Sequence, residues 1–231
     1  MQRHEQLSDT SPEPLKALLK RFCIVLVFSI AFAYIEAAVV VYLRTIFHPA
    51  SFTFPLTEFG ISPLWKRLLL TETGREAATL VLIFTAACLF GKNNRQRFAF
   101  FLTIFAVWDI FYYIWLKVLI DWPISFMDWD ILFLIPAAWA GPVLSPILIS
   151  LTLLTFAVII LYRSCSPTSI KATLPDWFGF ILAALVVVAS FCIAGLHIAE
   201  PDFQSHFHRP LFAAGHLSAI ALFLKCLLKS K

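Results

Sequence analysis

Residues 22–43, FCIVLVFSIAFAYIEAAVVVYL, decide the fold class. In this run of apolar side chains the only charged residue is Glu36. A helix rises about 1.5 Å per residue, so the stretch covers about 33 Å, and the hydrocarbon core of a bilayer is about 30 Å thick. The stretch therefore predicts a membrane-spanning helix. The apolar run is too long for a signal-peptide core and lacks a small-residue cleavage site, which predicts a retained first span behind a polar tail, 1–21.

The same count applied along the chain predicts five further spans, at about 75–90, 98–120, 142–162, 177–198 and 210–228, with a short C-terminus at 229–231. Composition agrees. Hydrophobic residues make up 60% of the chain and charged residues only 14%, well off the balance of soluble domains. The expectation is an all-α membrane protein of six transmembrane helices forming one domain over 22–228.

Two stretches read as irregular. At 62–73, Ser62 and Pro63 open an amphipathic segment, with Ser as N-cap and Pro at the first helical position, predicting a piece that lies on the membrane surface. The apolar run 131–162 is too long for one crossing. Pro136, Gly141-Pro142 and Pro146 break its first half, so 129–140 is expected as an interfacial or re-entrant helix ahead of the fourth span.

The basic residues set the expected orientation. With the N-terminus inside, twelve of the 18 Lys and Arg fall on the cytoplasmic side. This predicts both termini in the cytoplasm, in the inner membrane of a cell. A formal net charge of +4 is too small to indicate a nucleic-acid partner. The expected partners are the lipid bilayer and either further copies of the chain or other membrane subunits. The five cysteines are scattered without C-x-x-C spacing, so neither a disulfide framework nor a zinc motif is indicated.

Ionisable groups inside spans cost about 2.5–3.5 kcal/mol each on insertion scales, so each requires a reason. Five stand out: Glu36, Glu76, Asp109, His197 and His216. All fall in the outer half of their spans or at the midplane. Glu36, Asp109 and Glu76 are the expected acid–base groups. Glu36 calls for a basic partner, with Arg75, Lys117 and Arg44 as candidates. Glu76 also closes the pattern Thr73-Gly74-Arg75-Glu76, which has the form of a capping box. His197, His216 and Glu36 together have the composition of a metal site, suited to zinc or iron, with haem a weaker fit. His206 and His208 in the following loop are secondary metal-ligand candidates. Asp121-Trp122-Pro123 and Asp128-Trp129-Asp130 read either as the lining of an entrance or as helix caps and interfacial anchors.

These residues frame three expectations. The first is a membrane-embedded, metal-dependent enzyme with a His/carboxylate site near the outer face, acting on a lipid-like or small substrate. The second is a non-catalytic or haem- or quinone-anchoring subunit of a membrane complex. The third is a proton- or cation-coupled transporter.

Overall fold

A computed structural model describes residues 14–47, 52–57, 63–166 and 170–229. Six helices are long and apolar enough to cross a membrane: α1 (Leu15–Phe47), α2 (Pro63–Phe90), α3 (Asn94–Ile120), α4 (Leu144–Ser164), α5 (Leu174–Leu196) and α6 (Arg209–Leu228). This is the architecture of a multi-pass membrane protein. Its side chains are distributed as lipid demands. Leu70, Leu89, Val118 and Leu196 are exposed on the helix surfaces, whereas Glu36, Arg44, Glu76 and Asp130 are buried. The central helix is α3, which packs against α1, α2 and α4.

Helices α1, α2 and α3 are longer than the predicted spans, while α4 is shifted by two residues and α5 ends two residues early. α1 begins seven residues before Phe22 and ends four after Leu43. The larger correction concerns α2. The surface segment expected at 62–73 and the span expected at 75–90 form one continuous helix. Pro63 is tolerated because it opens the helix, and the one glycine inside, Gly74, costs too little to end it. Ser62 lies outside the described residues. The Thr73–Glu76 capping box is absent as a result. Thr73 sits mid-helix and donates its hydroxyl to the Leu69 carbonyl at 2.7 Å.

The second correction concerns 129–140, which is not a helix. Strands β1 (Trp129–Phe133) and β2 (Trp139–Pro142) form an antiparallel hairpin. Asp130 stands opposite Gly141 and Ile131 opposite Ala140, with an irregularity before the Phe133–Trp139 pair. Pro136 and Pro142 lack the N–H that a helix needs, while the aromatic and β-branched residues of β1 suit a strand. The fold is thus helical except for this one hairpin among the described residues.

The hairpin joins two parts of the bundle. α5 and α6 pack on each other and touch α4 only narrowly, but α5 lies close along β2. At Gly195 a Cβ would stand 1.8 Å from the Ala138 carbonyl oxygen, so only glycine admits the backbone there. The ring of Phe191 covers Gly141, 2.9 Å from where its Cβ would be. Between α3–α4 on one side and α5–α6 on the other runs a mostly apolar cleft of about 920 Å³.

Candidate functional site: a buried ring of carboxylates and arginines

At the hairpin end of the bundle, α1, α2, α3 and β1 surround a second cavity of about 160 Å³. Its wall carries Glu36, Glu72, Glu76, Asp109 and Asp130, together with Arg44 and Arg75. Five carboxyl groups against two guanidinium groups is an excess of acid in a setting where every charge is costly.

The helices deliver these groups by simple spacing. Glu72, Arg75, Glu76 and Thr79 lie three or four residues apart on α2 and share one face. Arg75 forms an ion pair with Glu36 of α1, and its Nη2 lies 2.8 Å from Glu72. Thr79 donates its hydroxyl to Glu36 Oε1 at 2.7 Å. Glu36 therefore has both a cation and a hydrogen-bond donor. Of the three basic partners expected for it, the structure selects Arg75.

Glu76 serves a different element. Its Oε2 accepts the Leu134 N–H at 2.8 Å, tying α2 to the end of β1. Arg44, near the end of α1, meets Asp130 of β1 at 3.0 Å. Its guanidinium also lies 3.8 Å from the centre of the Trp122 ring and 4.3 Å from that of Phe52. The Tyr112 hydroxyl stands 3.5 Å from the other Asp130 oxygen. Burial pushes the Asp130 carboxyl up to about 6, against the downward pull of Arg44.

Asp109 faces a different environment. Its one hydrogen-bond partner among the described residues is Ser150 of α4, which donates at 2.7 Å. No guanidinium or ammonium group among the described residues is paired with it. Asp109 also lines the apolar cleft, and with Trp108, Leu132 and Phe133 it makes the wall common to both cavities. The Trp108 indole N–H on this wall is buried with no partner among the described residues.

The three expected acid–base residues, Glu36, Glu76 and Asp109, thus line one cavity. The histidines do not join them. His216 lines the apolar cleft, bonds to the Thr152 hydroxyl at 2.8 Å and sits edge-on to Phe212. His197 follows α5 and stacks on His206. Exposed His208 precedes α6. Among the described residues, the group of three metal-type donors that converges is His197, Glu200 and His206, without Glu36 or His216.

Two members of the ring, Glu72 and Asp130, are not singled out by the sequence. Glu72 falls near the end of the segment expected at 62–73 and looks like an ordinary surface charge. Asp130 reads as a cap beside an anchoring tryptophan. Arg44 is expected as a cation for Glu36, and the structure pairs it with Asp130 instead.

Compared with protein-family models, curated proteins and solved structures, the chain matches none of them.

Proposed function

We propose that this chain is a membrane-embedded acid–base enzyme whose substrate is an amphiphile. One observation carries the reading: Asp109 stands on the wall between an apolar cleft and a small cavity ringed with acids. An amphiphile lying in the cleft, its chain along α4 and α5, presents its polar group to Asp109 and the carboxylates behind it. A carboxyl group positioned this way gives or accepts a proton at the reacting atom, a contribution of about 10²–10⁴-fold. Asp109 and Glu76 are the proton-transfer groups. Glu36 holds Arg75 in place, and the Arg44–Asp130 pair fixes the hairpin that closes the site.

The excess of basic residues at the opposite end supports an orientation with both termini in the cytoplasm and this site near the outer face of an inner membrane. The five-to-two excess of carboxylates over guanidinium groups also favours a second reading, proton- or cation-coupled transport.

The deciding experiment is reconstitution in liposomes of total bacterial lipid, followed by lipid mass spectrometry. The wild type is expected to convert one amphiphile class, and Asp109→Asn to slow this at least about 100-fold. No change in any lipid, with Asp109-dependent ion flux across the same liposomes, would replace the enzyme reading with the transport one.

A further inference from the structure

We propose that His197, Glu200 and His206 form a binding site for a divalent metal ion of the zinc class. This site stands apart from the carboxylate ring and does not depend on the reading above. One ligand atom from each of the three residues lies within 4.8 Å of the other two. Two imidazoles and a carboxylate, with a position left open, is a donor set that suits zinc.

The loop that carries the donors is pinned from below. The Glu200 N–H donates to the His197 carbonyl at 2.8 Å, and the Phe203 N–H to the Glu200 carbonyl at 3.2 Å. Phe203 is buried, stacked on Phe54 and edge-on to Trp129. Phe207, also buried, stacks on Phe191. His206, in the 3-10 turn Phe203–His206, is thus held between two anchored aromatic residues. Its position against His197 is set by packing rather than by a flexible tether.

The histidine chemistry fits ligation. His197 Nδ1 lies 2.9 Å from the Ile193 carbonyl, which can only accept, so Nδ1 carries the proton. Nε2 then keeps its lone pair, and the carbonyl fixes the ring as outer partners do at metal-binding histidines. Glu200 Oε2 is 3.5 Å from His206 Nε2, too far for a strong hydrogen bond, so neither group is committed to the other. The two imidazoles lie parallel, 3.8 Å between centres. In-plane lone pairs of parallel rings do not converge, so a bound ion turns the His206 ring out of the stack by a small side-chain rotation while the Ile193 carbonyl holds the ring of His197. The Glu200 and His206 side chains are 51% and 32% exposed, which leaves the ion open to solvent on one side.

The test uses full-length, untagged protein in detergent, stripped with chelator, loaded with zinc sulfate, desalted and measured by elemental analysis. About one zinc per chain is expected for the wild type and for His208→Ala, and less than about a tenth of that for His206→Ala. Glu200→Gln, a change at a half-exposed position that leaves the packing intact, is expected to weaken zinc affinity at least about tenfold. Cobalt substitution is expected to give a visible absorption band that His206→Ala abolishes. The proposal is overturned if the stripped wild type takes up no zinc, or if uptake survives both His206→Ala and Glu200→Gln in protein that still runs as a single gel-filtration peak.

Discussion

Arg44 and Asp130, 86 residues apart, meet at 3.0 Å and fasten the last turns of α1 to the first strand of the hairpin. Both side chains are buried. A buried pair of this kind contributes little net stability, because desolvation offsets the attraction, but it specifies which strand face meets which helix. Together with the Leu134 N–H bond to Glu76, the pair places β1 against the helices.

A pH dependence follows. The Asp130 carboxyl titrates at about 6 in the folded protein, against about 3.9 in an unfolded chain. The folded state binds this proton more tightly. The Asp130 contribution to stability is therefore fully present below about pH 4 and is lost as pH rises through about 6. Melting of the detergent-solubilised protein between about pH 4 and pH 7 is expected to show this decline, and Asp130→Asn to remove it. An identical slope in that variant would refute the assignment.

Arg75 serves two acids, and this makes the pair with Glu36 asymmetric. Replacing Arg75 by Met leaves both Glu36 and Glu72 without a cation, a loss of about 3–5 kcal/mol for broken buried pairs. Replacing Glu36 by Gln leaves Arg75 with Glu72, and the new amide oxygen still accepts from Thr79. That change is expected to cost about 1 kcal/mol. Melting temperatures of the two variants check the order. Equal losses would show that Glu72 does not share the guanidinium.

Much of this site is legible in the sequence, and the reason is cost. A charged side chain in an apolar run announces itself, so Glu36, Glu76 and Asp109 are found by reading along the chain. Their partners are not, because the Glu36–Arg75 and Arg44–Asp130 contacts join residues far apart in sequence. The six crossings are legible for the same reason of cost, applied to length. The hairpin is not. Apart from Asp130, the residues over 129–140 are apolar and proline-broken, and a short apolar run cannot be assigned to helix or strand by periodicity alone. The backbone approach of Gly195 to Ala138, which seats the hairpin against α5, is a relationship no local pattern contains. His206 reads as a loop residue because its partner, His197, belongs to the end of a helix nine positions earlier.

Gly195 gives a direct check on how the hairpin is held. A methyl group there would meet the Ala138 carbonyl oxygen at 1.8 Å, and the obstacle is backbone rather than a mobile side chain. Overpacking of this kind costs about 1–3 kcal/mol or more. Gly195→Ala is therefore expected to lower the melting temperature markedly. Gly74→Ala, where nothing lies within 4 Å, is expected to be neutral or slightly stabilising through helix propensity. Comparing the two by thermal melting separates close approach from a general intolerance of change at glycine.

Asp109 and Ser150 separate structure from chemistry at the shared wall. Ser150→Ala removes the one hydrogen bond Asp109 makes among the described residues and leaves its oxygen buried without a donor, a loss of about 1–3 kcal/mol. Asp109→Asn does the opposite. The amide oxygen still accepts from the Ser150 hydroxyl, so that hydrogen bond and the side-chain volume are kept, but the group can no longer take up or release a proton. If Asp109 is the proton-transfer group, Asp109→Asn folds like the wild type and is inactive, whereas Ser150→Ala melts earlier and keeps measurable turnover. If Asp109 is only a structural acceptor, the pattern reverses: Asp109→Asn is active and Ser150→Ala carries the whole defect. Thermal melting and lipid turnover measured on the same two preparations distinguish these outcomes, because each role predicts its loss in a different one of the two measurements.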